Sequence, residues 1–95
     1  MGLLGFLVRA SIAALATAAV ISIVVAFLDS TVLRQKVMEK SPNAFKAVIK
    51  SVVHNDSVAH VSLDAISEDG VCDTIEIQAD DIDYSEIYEG NEIYI

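Results

Sequence analysis

The sequence predicts a single N-terminal transmembrane α-helix followed by a small, mostly β domain, an antiparallel meander or partial barrel. Three observations carry this expectation. Ala10 to Leu28 is a run of nineteen residues without a charge. The stretch from Val58 onward alternates apolar and polar side chains with a period of two. Short clusters of Asn, Asp, Ser and Gly then cut the remainder into strand-length pieces.

The apolar run comes first. Sixteen of its residues are apolar, and the others are Ser11, Thr17 and Ser22. As a helix it would extend about 28 Å, close to the ~30 Å hydrocarbon thickness of a bilayer. Arg9 at its N-terminal end would snorkel to the interface. Ala16-Thr17-Ala18 offers a small-x-small cleavage site, but ten further residues, nine of them apolar, follow it, which is the wrong order for a signal peptide. Ala10, Ala14, Ala18, Ser22 and Ala26 recur every fourth residue and would form one small-residue stripe. Close backbone approach at such a stripe lets helices pack in lipid, so a homo-oligomer or a larger membrane complex is expected.

Arg34, Lys36, Lys40 and Lys46 follow the run, against Arg9 before it. That bias places the C-terminal domain in the cytoplasm, in a single-pass membrane protein with lipid as its first partner. Val32 to Lys40 contains no helix breaker and extends the helix. Residues 1–40 are therefore expected as membrane and juxtamembrane helix. Ser41-Pro42-Asn43, with the only proline, forms a linker. Residues 44–95 form the β domain.

Within that domain, Phe45 to Val53 fits a helix or a strand, and its β-branched residues favour strand. His54 to Ser57 reads as a tight turn. Val58 to Ile66 places Ala59, Val61, Leu63 and Ala65 on one face. Ser67-Glu68-Asp69-Gly70 is a hairpin turn into a strand over Val71 to Gln78, with Val71, Ile75 and Ile77 on one face and Cys72, Thr74 and Glu76 on the other. Asp80 to Ser85 is a polar excursion, and Glu89-Gly90-Asn91 turns into a last strand over Glu92 to Ile95.

Charge divides the chain in two. Residues 1–50 hold all six Lys and Arg and two acids, a net of +4, whereas residues 51–95 hold twelve acids and no Lys or Arg, a net of −12. Such a domain repels nucleic acid, so none is expected as a partner, and it suits a basic protein. Tyr84, Tyr88 and Tyr94 lie among acids, and with Asp80, Asp81 and Asp83 they are the candidate partner-binding residues.

No catalytic, cofactor or metal site is expected. About sixty-five residues beyond the apolar run leave little room for an enzyme cleft. Asp81, Asp83, Ser85, Glu89 and Glu92 have the spacing of a calcium loop, but Glu86 stands where the sharp turn needs glycine. His54, His60 and Cys72 match no metal-ligand spacing, and Cys72, the only cysteine, forms no disulfide within the chain.

A hydrophobic N-terminal helix with a small β domain resembles type IV pilin-like subunits, and Gly5-Phe6 is similar to their processing junction. This implies a structural subunit of a filament or secretion apparatus. The family's early glutamate would fall at Ala10, and Arg9 stands where the family is apolar. By layout alone the chain also resembles membrane-tethered OB-type domains. The leading expectation is a non-enzymatic, membrane-anchored interaction or assembly subunit that presents an acidic β domain. A single-span pore former is a third reading.

Overall fold

The computed structural model describes residues 19–95. Its elements are β1 (Ala19–Leu28), α1 (Ser30–Lys40), β2 (Lys46–Asn55), β3 (Val58–Ser67), β4 (Gly70–Ile82) and β5 (Glu92–Tyr94). The five strands make one mixed sheet in the order β1-β4-β3-β2-β5. β1 runs parallel to β4, and the other neighbours are antiparallel. It follows that β1 and β2 run parallel with two strands between them, and α1 is the crossover that joins them. A mixed sheet with one crossover helix replaces the expected all-antiparallel meander.

The larger correction concerns Ala19–Leu28, which is strand where the sequence predicts helix. Val20, Ile21, Ile23, Val24 and Val25 are β-branched, a composition that favours strand. A short apolar run bears no periodicity that separates a buried strand from a buried helix, and tertiary pairing decides. Here β1 pairs with β4 from Ala19↔Asp73 to Leu28↔Ile82. Ile21, Ile23 and Val25 pack on the core, and Leu28 is fully buried. A spanning helix over Ala10–Leu28 and this strand are alternative uses of the same ten residues. Among the described residues no helix is long and apolar enough to cross a membrane.

α1 begins at Asp29, whose Oδ1 accepts the Val32 N–H at 2.9 Å, and ends at Ser41, whose N–H donates to Val37 O. Leu33 and Val37 point inward and are fully buried. They share one core with Leu28, Ile49, Leu63, Ile75, Ile77 and Ile87. The core thus does not break at Ser41, the expected linker. Ser41 is itself buried, and its hydroxyl donates to Asp73 on β4.

Two hairpins join β2–β3 and β3–β4. Asp56, at φ 59°, makes the first turn, and Gly70, at φ 111°, closes the second. Each hairpin contains a register shift. The shift between Ile49 and Ser51 moves Val52 to the core side and Ser51 and Val53 to the other. The shift between Ala65 and Ile66 turns Cys72 toward the core and leaves Val71 exposed, reversing the expected faces of both. β4 also runs on to Ile82, through residues expected as a polar excursion, because Ala79 and Ile82 are buried. Beyond β4, Ile87 inserts into the core from the connecting loop.

Candidate interaction surface

One face of the sheet is covered by α1 and by the loop that carries Ile87. On the other face, strand register aligns side chains in rows, because directly opposed residues point the same way. Val20, Thr74, Asp64 and Val48 form one row. Ser22, Glu76, Ser62 and Ser51 form the second. Val24, Gln78, His60 and Val53 form the third. The second and third rows line a shallow trough of about 330 Å³.

The face is apolar at its margins and polar at its centre. Val20, Val24 and Val53 are 63%, 76% and 55% exposed, proportions that belong to an unpartnered surface. The central strands contribute hydroxyls, an amide, an imidazole and carboxylates. Asp64 is engaged: Thr74 Oγ1 donates to it at 3.1 Å, and Lys50 Nζ lies 3.6 Å away. Glu76 has no ion-pair partner among the described residues. Its row neighbours are three serines, which donate hydrogen bonds and carry no charge. Such groups bind by hydrogen bonding and complementary charge.

The residues singled out from sequence separate. Ser22 and Ala26 lie on β1, exposed, on the uncovered face. A spacing of four is even, so it keeps one face on a strand as on a helix. Ala10, Ala14 and Ala18 lie outside the described residues. Tyr84, Tyr88 and Tyr94 are all exposed but do not form one cluster. Tyr84 stacks on His54 near the end of β2, with ring centroids 5.5 Å apart and Oη 2.7 Å from His54 Nε2. Tyr94 lies near the start of β2, where Lys46 Nζ sits 5.8 Å from its ring centroid. Those two ends are roughly 26 Å apart at a strand rise of ~3.3 Å per residue.

Asp80 and Asp81 are exposed near the end of β4. Asp83 is engaged locally: the Ser85 hydroxyl and N–H both donate to its Oδ1, and they hold its carboxyl below the ordinary value. The residues with calcium-loop spacing are distributed over β4, this turn, the separate turn at Glu89 and β5, where Glu92 pairs with Lys46 at 3.2 Å. His54, His60 and Cys72 are also apart. His60 lies in the trough, and Cys72 points toward Ala65 O at 3.4 Å.

What sequence reasoning missed is the trough and the edge strand beside it. The available signal was Ser22 and Ala26 alternating with Ile21, Ile23 and Val25, a period of two inside the apolar run. Comparisons with known families, curated proteins and solved structures return no match for this chain.

Proposed function

We infer that the chain is a non-enzymatic interaction or assembly subunit that docks a basic protein segment on the uncovered face of its sheet. The observation that supports this reading is the trough, where Glu76 stands without an ion-pair partner among the described residues, flanked by Ser22, Ser51 and Ser62 and bordered by exposed valines. Apolar area supplies desolvation, and the serines and carboxylate set register and favour positive charge. The net of −12 over residues 51–95 adds long-range attraction to the same partner. Lipid proximity, through the apolar residues that precede β1, belongs to the same proposal. A pilin-like subunit would instead need one continuous N-terminal helix through Ala19–Leu28, and that segment is strand.

The test is photocrosslinking in cells. A photoreactive residue at His60 or Gln78 should trap a discrete partner band. The same residue at Thr31, on the exposed side of α1, should not. Identical patterns from both sites, or none from the trough, would remove this reading.

A further inference from the structure

β1 occupies one end of the sheet, and none of the described residues pairs with its outer edge. We propose that a second copy of this chain pairs there, antiparallel, β1 to β1, to make one continuous ten-stranded sheet. The inference deepens the assembly reading by naming one partner, and it uses the edge of the sheet rather than the trough.

Four observations lead to it. First, the edge is long and unguarded. β1 has ten residues with no charge, no proline and no register shift, whereas natural edges are blunted by those devices. The opposite edge is blunted: β5 has three residues, Arg34 Nε occupies Tyr94 O at 2.8 Å, and Lys46 pairs with Glu92. Second, Ile21, Ile23 and Val25 pack on the core yet are only partly buried, so the core itself is open at this edge.

Third, the strand is complementary to itself. With a twofold axis at Ile23, that residue faces Ile23 of the second copy, Ile21 faces Val25, Ser22 faces Val24 and Val20 faces Ala26. Opposed residues share a face in every pair, and no pair sets like charges together. Fourth, the acids do not oppose it. The two β4 strands, with Asp73, Glu76 and Asp80, would be three interstrand spacings apart, about 14 Å. That exceeds a Debye length of about 8 Å at physiological ionic strength.

The experiment uses the full chain carrying Cys72→Ser in mild detergent, with mass measured by light scattering and sedimentation. The expected result is a dimer. Ser22→Lys/Val24→Lys places lysines opposite lysines at the edge and should raise the dimer dissociation constant at least about tenfold. Both positions are exposed, so circular dichroism should stay that of the parent. His60→Lys/Gln78→Lys adds the same charge to the trough, in the row of Val24 but one and two strands inward of β1, and should leave the dimer intact. Mixing Ser22→Lys/Val24→Lys with Ser22→Glu/Val24→Glu should restore dimers. A monomeric parent overturns the proposal and leaves trough docking standing. So does a dimer that resists the edge lysines, as contacts through residues 1–18 would produce, or one that both lysine pairs dissolve.

Discussion

Glu86 Oε1 accepts a hydrogen bond from the Ser30 N–H at 2.9 Å, joining the loop after β4 to the first turn of α1 across 56 residues of sequence. The first N–H groups of a helix have no partner within it. Asp29 satisfies one such donor from the chain's own N-cap position, and Glu86 satisfies another from a distance. Asp83 N–H donates to Leu28 O in the same junction at 2.9 Å. The carboxylate that takes the glycine position of a calcium-loop pattern therefore serves as a helix cap.

Removing this cap should cost stability without changing the fold. Asp29→Ala should cost about 1 kcal/mol, the usual loss for an N-cap. Glu86→Ala should cost about 1 kcal/mol for the lost hydrogen bond, and Glu86→Gln less, since an amide oxygen still accepts. The two sites share one helix end, so the double variant should depart from additivity. Denaturant midpoints at constant slope would report these values. An additive result would separate the two caps energetically.

Leu33 and Ile87 test whether α1 belongs to the same cooperative unit as the sheet. Both are buried to 1% exposure or less, in one core with Ile49 and Ile75. Leu33→Ala and Ile87→Ala should each cost roughly 2–5 kcal/mol, a large share of the stability of a domain this size. Unfolding followed by helix and by sheet signals should remain a single coincident transition in each variant. A sheet that melts unchanged in Leu33→Ala would separate residues 30–40 from the β domain.

Asp83 gives a pH-dependent contact with a definite sign. Donation from Ser85 lowers its folded pKa below 3.8, so the contact stabilises the fold fully above the ordinary carboxylate range. That contribution is lost as pH falls through the depressed value, when the carboxyl takes up its proton. Ser85→Ala removes the hydroxyl donor and should move the Asp83 titration back up toward 3.8, as followed by carboxyl carbon chemical shifts. An unmoved titration would assign the depression to the Ser85 N–H alone.

How much was legible in sequence follows from which forces are local. The alternation from Ala59 to Ala65 and the turns at Asp56 and Gly70 are local, and both appear where expected. The helix over Val32 to Lys40 is local too, and it starts two residues earlier, at Ser30. The register shifts at Ile49 and Ala65 are not local, since each depends on the partner strand. Phe45 to Val53 could be read two ways, and pairing on both sides, with β3 and β5, makes Lys46–Asn55 a strand. The acids of the candidate site were visible as composition. Their sorting into a trough and a helix cap depends on contacts tens of residues apart, whereas the Asp83 turn closes on Ser85, two residues away.

Ala19–Leu28 poses the sharpest test, because hydropathy and pairing assign it different structures. In the parallel ladder Ser22 is the neighbour of Glu76, at an interstrand spacing of about 4.8 Å. That lies within the 4.4–6.8 Å Cα separation that a disulfide tolerates. In the Cys72→Ser background, Ser22→Cys/Glu76→Cys should therefore oxidise within one chain. Ser22→Cys/Gln78→Cys is one pleat out of register, about 8 Å by the same geometry, and should oxidise poorly. A helix crossing the bilayer from Ala10 to Leu28 would carry Ser22 into the hydrocarbon, away from both partners, and neither pair would form. Running the two variants in membranes and in detergent separates the assignments. Preferential closure of the Ser22–Glu76 pair in both settings establishes β1. Closure in detergent alone would show that lipid draws these ten residues out of the sheet and into a spanning helix.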